Sequence, residues 1–331
     1  NKVDGIAGKL IDLIAVFALL AGTATTFSLA TPLLAGAISS VTGIPQSTGL
    51  TLVILVIVCA IYTFSVYFGM KGVQLSAATC TWLFFGLLAY VFFFGGQTRF
   101  IIEEGITALG NLTQNFIGLA TWTDSLRTSS FPQTWTIFYW AYWMVWCVAV
   151  PFFIGSISKG RTLRQVILGG YVFGLSGTFT SFIIMGNYGL GLQMHGKLDV
   201  LSSYAADGNL YHAILDILGQ LPLSKAVLVL LVLCMITFYS TSFDSITMVA
   251  STYTYKKLQS DEEPHRNVKL FWAIFLILLP LALIFSENSM SNLQTVSIIA
   301  AFPVGIIMLL IISSFFKDAD AYLKEQANPP E

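Results

Sequence analysis

Residues 48–69 read TGLTLVILVIVCAIYTFSVYFG, 22 positions without a charged side chain. A bilayer core about 30 Å thick needs about 20 apolar residues per helix, so this run is long enough to cross. It is continuous and lacks the period-2 alternation of a barrel strand, which favours a helix. Working outward, seven more runs of the same kind lie at about 9–37, 73–96, 132–157, 164–190, 225–255, 267–286 and 292–316. Several exceed the minimum length, so tilts or kinks are expected. Composition agrees: 56% of 331 residues are apolar, 10% are charged, and mean hydropathy is +0.77. Soluble domains carry about a quarter charged residues, because they must coat themselves in polar groups. The expected fold class is an all-α integral membrane protein of about eight transmembrane helices. A net charge of −1 gives no reason to expect a nucleic-acid partner. Membrane lipid is the partner that the composition implies.

The segments between the runs set the orientation. With the N-terminus in the cytoplasm, twelve cations fall inside: Lys2, Lys9, Lys71, Lys159, Arg161, Arg164, Lys256, Lys257, Arg266, Lys269, Lys317 and Lys324. Four fall outside: Arg99, Arg127, Lys197 and Lys225. That asymmetry places both termini in the cytoplasm. Residues 100–118 read as an amphipathic helix lying on the membrane, and 208–220 as a shorter one. The charged tail from Asp318 to Glu331 is expected to fray. Cys59, Cys80, Cys147 and Cys234 sit far apart inside apolar runs and read as buried hydrophobes. No signal peptide is visible, and the start at Asn1 rather than Met points to upstream sequence.

Two segments could carry chemistry. In Trp135-Thr136-Ile137-Phe138-Tyr139-Trp140-Ala141-Tyr142-Trp143-Met144-Val145-Trp146, four of the chain's seven tryptophans fall within twelve residues. On a helix, Trp140, Trp143 and Trp146 make one slanted stripe, with Trp135, Tyr139, Tyr142 and Trp146 beside it. An interfacial aromatic belt accounts for Trp135, near the start of the run, but poorly for Trp143 and Trp146, two to three turns deeper. A deep aromatic stripe without counter-charge suits a trimethylammonium group, held by ring faces at about 2 kcal/mol or more per desolvated contact. The stretch alone leaves belt and cage open. Pro151 follows and should kink the helix, as in the broken helices that line transporter sites.

The second segment is Phe238-Tyr239-Ser240-Thr241-Ser242-Phe243-Asp244-Ser245. Asp244 is the only acid well inside any run, and such residues are functional by default. The hydroxyls of Thr241 and Ser242 suit a hard cation such as sodium. They equally suit helix–helix hydrogen bonding. Thr23, Thr25 and Thr26 in the first run read as packing residues. The three histidines, His195, His212 and His265, all lie in loops, and there is no HExxH, GxSxG or Walker loop. An intramembrane protease, a haem protein and an ATP-driven pump are therefore disfavoured. The protein reads as no enzyme and as needing no cofactor.

The stretch Pro132–Trp143, followed by Ile157-Ser158-Lys159-Gly160-Arg161-Thr162-Leu163-Arg164, resembles the betaine/choline/carnitine transporter family. That family joins a tryptophan-rich helix to an Arg-Ile-Ser-Arg-Gly-Arg loop. Ser28-Leu29-Ala30-Thr31-Pro32, Thr42-Gly43-Ile44-Pro45 and Ser291-Asn292-Leu293-Gln294 agree with it, and the likeness covers essentially the whole chain. It implies a twelve-helix, leucine-transporter-type fold of two inverted repeats. On the motifs this chain looks like helices five to twelve, which implies a gene product longer by four helices. Residues 9–97 would then complete repeat one, 100–118 lie at the interface, 132–316 form repeat two, and 317–331 make a cytoplasmic tail.

The resemblance also implies roles. Trp143, Trp146, Trp140 and Tyr142 would bind substrate, with Tyr142 standing where the family has a tryptophan. Phe238, through its carbonyl, with Thr241 and Ser242 would ligate a coupling sodium ion. Ser156 replaces the first arginine of the loop motif. Phe131-Pro132-Gln133 and Ala30-Thr31-Pro32 look closer to sodium-independent carnitine/γ-butyrobetaine exchangers, where an arginine replaces the ion; Cys80 stands at that position here. The implied function is secondary transport of glycine betaine, choline or carnitine across the plasma membrane, sodium-coupled. A sodium-independent exchanger, a neutral amino-acid symporter and a non-transporting membrane protein are the alternatives. A homotrimer contacting near 100–118 is implied, and no osmosensory tail is recognisable.

Overall fold

A computed structural model describes residues 5–255, 262–285 and 290–327. Lys2, Lys256 and Lys257, counted for orientation, lie outside them, as do the side chains of Ser291–Gln294. All regular structure among the described residues is helical. The elements are α1 (Ile6–Thr42), α2 (Thr48–Tyr67), α3 (Met70–Phe94), α4 (Thr98–Thr121), α5 (Ile137–Trp146), α6 (Val150–Ile157), α7 (Leu163–Ser181), α8 (Asn187–Met194), α9 (Val200–Asp207), α10 (Leu210–Gly219), α11 (Ser224–Thr252), α12 (Arg266–Phe285) and α13 (Met290–Ala327). Single π turns, Pro132–Thr136 and Phe182–Gly186, lead into α5 and α8.

Among the described residues, six helices are long and apolar enough to cross a membrane. They are Ile6–Thr42, Thr48–Tyr67, Lys71–Phe94, Leu163–Met194, Ser224–Thr252 and Thr295–Ala327. A bent pair, Pro132–Trp146 and Val150–Ile157, meets at 54° and makes a seventh when counted as one broken span. The remaining run, 267–286, falls on α12. The expected interfacial helices correspond to α4, whose helix is interrupted at Asn115, and to α10. The tail differs from expectation. It stays helical through Ala327, with a Lys324–Asp320 ion pair of 2.6 Å one turn apart. Such i,i+4 pairs lend a few tenths of a kcal/mol to an exposed helix, about 0.2–0.5.

α1 and α11 organise the bundle. α1 packs on α13, α11, α12 and α5, and α11 packs on α3, α1, α2 and α12. Two apolar cores result, one around Phe27, Tyr62, Trp146 and Phe243, the other around Val91, Tyr188, Leu218 and Leu228. Between apolar surfaces in lipid, polar ties fix register, each about 0.6 kcal/mol on average. Thr25 meets Ser297 of α13 at 2.7 Å, Thr31 meets the Tyr239 hydroxyl at 2.8 Å, and Tyr62 donates to the Ala273 carbonyl at 2.6 Å. Thr23, Thr25 and Thr26 also donate to carbonyls one turn back, which satisfies their hydroxyls within α1. Phe27, Tyr239 and Phe243 stack as a column through this core. Gly43, at φ +76°, closes α1 in the left-handed conformation a glycine adopts without strain.

At the α2–α3 turn, the buried Lys269 ammonium lies 3.0 Å from Glu263, and Arg266 sits 5.0 Å from the centroid of Tyr67. Above α4, the loop to α5 folds around Asp124, which accepts from the backbone N–H groups and hydroxyls of Thr128 and Ser129 and from the Ser130 N–H. Backbone donation from Ser129, followed by that of its neighbours, holds its carboxyl well below the usual carboxylate range.

Candidate functional site

The broken span follows from Pro151. Proline has no N–H to donate to the Cys147 carbonyl, and its ring crowds that carbonyl. The chain tightens instead: Cys147 N–H donates to Met144 and Ala149 N–H to Trp146, each three residues back at 3.0 Å. Helical structure resumes at Val150. The aromatic helix α5 thus ends at Trp146, beside a bend in the middle of a membrane-length segment.

The bundle divides the tryptophan stripe. Phe138, Ala141, Val145 and Trp146 are buried, while Trp140 and Trp143 are 67% and 62% exposed. The reason is angular. At about 100° per residue, a three-residue step falls 60° short of a full turn, so Trp146 is rotated about 120° from Trp140. Trp146 therefore enters the α1 side of the helix. It lies over Gly22, where a Cβ would stand 2.8 Å from the indole Cζ2; only a glycine admits the ring.

Tyr142 bridges the two environments. It is half-buried, and its hydroxyl and that of Thr26 lie 2.6 Å apart. Its ring meets Trp143 at 6.0 Å and Trp146 at 6.2 Å, both edge-on. Edge-to-face contacts at this separation are favourable beyond their buried area, by about 0.5–1.5 kcal/mol. The result is an aromatic ladder on α5, anchored to α1 at one end and presenting the Trp143 ring at the other. Thr26 and Gly22 were not recognisable as its supports from sequence: they lie more than a hundred positions away, and only their small size on one helical face gave a signal.

The second candidate lies on α11. Phe238 is half-exposed, its ring edge-on to Phe84 at 5.3 Å. Thr241 donates to the Thr237 carbonyl and faces Ser76 of α3 at 3.3 Å, while Ser242 is exposed. On an α-helix the carbonyl of residue i lies beside residues i+3 and i+4, so the Phe238 carbonyl falls between the Thr241 and Ser242 side chains. Carbonyl and hydroxyl oxygens are the ligand type that hard cations take. Cys80 of α3 borders Thr237 and Thr241. Among the described residues no group of three or more His, Cys, Asp or Glu side chains could hold a metal ion. One turn further along α11, Asp244 is fully buried and accepts from Ser65 of α2 at 2.7 Å. Ser65 and Ser76 are partners the sequence did not reveal.

Fold and site together define a multi-pass, all-helical membrane protein with a broken aromatic span and a polar, oxygen-lined stretch on the helix that organises its core. Residues 1–324 match the betaine/carnitine/choline family transporter family, BCCT, and the chain belongs to it. It is 29% identical over 311 residues to a carnitine transporter of Acinetobacter baumannii, covering 93% of this chain and 56% of that protein. It is 30% identical to a probable glycine betaine transporter of Desulfitobacterium hafniense, over 96% of this chain and 63% of that protein. It is likewise 30% identical to the glycine betaine transporter OpuD of Bacillus subtilis, over 98% and 62%. The chain thus spans less than two thirds of the length of these relatives.

Proposed function

We propose that the protein is a secondary transporter that carries a quaternary-ammonium solute of the betaine, choline or carnitine class across the plasma membrane, coupled to sodium. The observation that carries this reading is the exposed Trp143 ring, held on a ladder of Tyr142 and Trp146 beside the broken span. A trimethylammonium group has no N–H to donate, so an aromatic face is the surface that binds it. Trp143 supplies that face, Trp140 lies one turn along the approach, and Tyr142 and Trp146 complete the aromatic wall. Phe238, Thr241 and Ser242 contribute oxygens to the sodium site. The ion drives transport only by binding one conformation better than the other.

The same reading gives eight membrane spans in an inverted-repeat arrangement. Residues 9–97 close the first repeat, 132–316 form the second, 100–118 lie at the interface, and 317–331 form the tail. Both termini face the cytoplasm, and the protein works as a trimer. No cofactor enters the cycle. Its relatives' names, carnitine transporter and glycine betaine transporter, support the solute class without choosing within it.

The test is uptake of radiolabelled glycine betaine, choline and carnitine into proteoliposomes holding the product of the complete gene, with and without a sodium gradient. Sodium-dependent uptake should fall in Trp143→Ala and in Thr241→Ala. Loss of one desolvated cation–π contact of about 2 kcal/mol weakens affinity about 30-fold. Exchange that ignores sodium would replace the symport by an exchanger. Uptake of a neutral amino acid unaffected by Trp143→Ala would move the function to another solute, and no uptake by folded protein would refute it.

A further inference from the structure

A groove between α2 and α12 shares no residue with the aromatic ladder or with the oxygen-lined stretch of α11. Its volume is about 490 Å³. Its cause is in the sequence: Cys59, Ala60 and Thr63 are small side chains within one turn of α2, and they leave a trough against Ile274, Ile277 and Leu281 of α12. The groove opens outward, with Val56, Phe64 and Ile274 on its rim 59%, 67% and 48% exposed. Its one threonine hydroxyl, that of Thr63, lies against the Cys59 sulfur at 3.8 Å, so the lining is effectively apolar. From Val56 to Tyr67 is eleven residues, about 16 Å of helix. One leaflet's share of a bilayer core is about 15 Å. Tyr67 ends the membrane-length α2 and Val56 lies near its middle. The groove therefore runs from the membrane surface to the bilayer midplane, the depth of one acyl chain.

The surface end of the groove is cationic. Arg266 opens α12 and lies over the Tyr67 ring, 5.0 Å from its centroid. A guanidinium on a ring face keeps the N–H groups along its edges free for a carboxylate or phosphate. Arg266 is exposed and makes no ion pair among the described residues. Neither does Lys71, exposed in the first turn of α3. Lys269 is bound to Glu263. With Glu262 counted, three cations stand against two acids at this end among the described residues. The start of a helix is the positive pole of its dipole, so a cation there is disfavoured and an anion favoured. Lys269 has Glu263 to offset this; Arg266 has no such acid.

We propose that this groove binds an anionic glycerophospholipid, with one acyl chain laid between α2 and α12 and the phosphate held by Arg266 and Lys71. The two halves of the site select together. An apolar trough of leaflet depth takes a hydrocarbon chain, and unpaired cations at its mouth take a negative headgroup. A free phosphate would leave the trough empty, and a neutral lipid would leave the cations unpaired. The charge asymmetry of the loops puts this end on the cytoplasmic face. That leaflet carries the negative surface potential, and basic pockets between membrane helices on that side bind anionic headgroups. The choice of leaflet rests on the orientation given under the proposed function; the site itself depends on no particular solute.

The experiment places the full-length protein in mixed-lipid vesicles with a phosphatidylglycerol probe that carries a photoactivatable diazirine in its acyl chain. Crosslinked peptides are then located by mass spectrometry. Crosslinks within 56–67 and 270–281 are expected, displaced by unlabelled phosphatidylglycerol but not by phosphatidylethanolamine with the same chains. Displacement should weaken about fivefold in Arg266→Gln and about 30-fold when Lys71→Gln is added, the size expected for one and two cations near a membrane surface. Ala60→Trp fills the trough and should abolish the crosslinks while the cations remain. Should a variant fail to fold, the wild type at about 1 M salt serves, since a Debye length of about 3 Å should remove the preference for the anionic lipid. Equal displacement by phosphatidylethanolamine, or crosslinking unchanged in the double variant, overturns the proposal and leaves ordinary boundary lipid. Displacement by glycerol 3-phosphate, a headgroup without chains, overturns it in favour of a soluble-anion site. Folded protein without crosslinks at the groove also overturns it, because another protein surface then covers the trough. The crosslink is read without transport, so its presence in protein that carries no solute would fail the transport reading and keep the lipid site, and its absence from protein that does transport would do the reverse.

Discussion

Substituting Gly22 by alanine tests the anchoring of the aromatic ladder. The added methyl would stand 2.8 Å from Trp146 Cζ2, 3.0 Å from Cε2 and 3.1 Å from Val145 Cγ2. An indole ring is rigid, so it cannot bend away as the end of a lysine would. To restore an ordinary 3.4 Å contact, the ring or the helix must retreat by about 0.6 Å. Overpacking of this kind costs about 1–3 kcal/mol. The alanine also removes the entropic cost of a helical glycine, a gain of about 1 kcal/mol. The net expectation is a loss of about 0–2 kcal/mol. The displacement passes along Tyr142 to Trp143, so solute affinity should fall more than stability does. Thermal unfolding in detergent reads the first effect, and quenching of tryptophan fluorescence by glycine betaine reads the second. Trp146→Phe, a smaller ring, should partly relieve Gly22→Ala. The double-mutant cycle should therefore show favourable coupling between the two positions. Additive single effects, or a Gly22→Ala protein with unchanged affinity, would refute the claim that α1 sets the position of the ladder.

Three further outcomes are expected. The Asp124 carboxyl is held low by its backbone and hydroxyl donors, so its contribution is present above its unfolded value, near about pH 4, and is lost as pH falls toward the lower folded value. Protection factors for amide exchange at Thr128, Ser129 and Ser130 should fall on acidification, and in Asp124→Ala should be low at every pH; its loop also holds Asp124, Arg127 and Ser130 at positive φ, a strain that needs a tether. Glu263→Ala strands the Lys269 ammonium, whose side chain is 4% exposed. Breaking a buried pair costs about 3–5 kcal/mol, but Glu263 is itself partly exposed, so about 1–2 kcal/mol is expected, and Glu263→Ala with Lys269→Met should recover much of it in a thermal-shift assay. Thr25→Val removes the tie to Ser297 and should cost about 0.6–1.7 kcal/mol, read as a lower unfolding temperature in detergent.

The linear sequence determined the class of this protein. A helix in lipid satisfies its own backbone, so each apolar run reports its structure without reference to any other part of the chain. The runs, the helices α4 and α10, the break expected from Pro151 and the family-specific words around Trp143 were all legible for that reason. The tertiary structure decided which faces are used. Trp140, Trp143 and Trp146 read as one stripe in the sequence, yet Trp146 is inside the bundle and Trp143 is open. Their order on the helix is local, but which sector is covered depends on where α1 lies. Likewise Asp244 was visible as an acid among apolar residues, whereas its donor Ser65 comes from 179 positions away. Hydrogen bonds between helices join residues whose separation along the chain carries no periodic signal. Such partners emerge only when packing brings two helical faces to within 3 Å, and on them depends whether a buried polar group is satisfied.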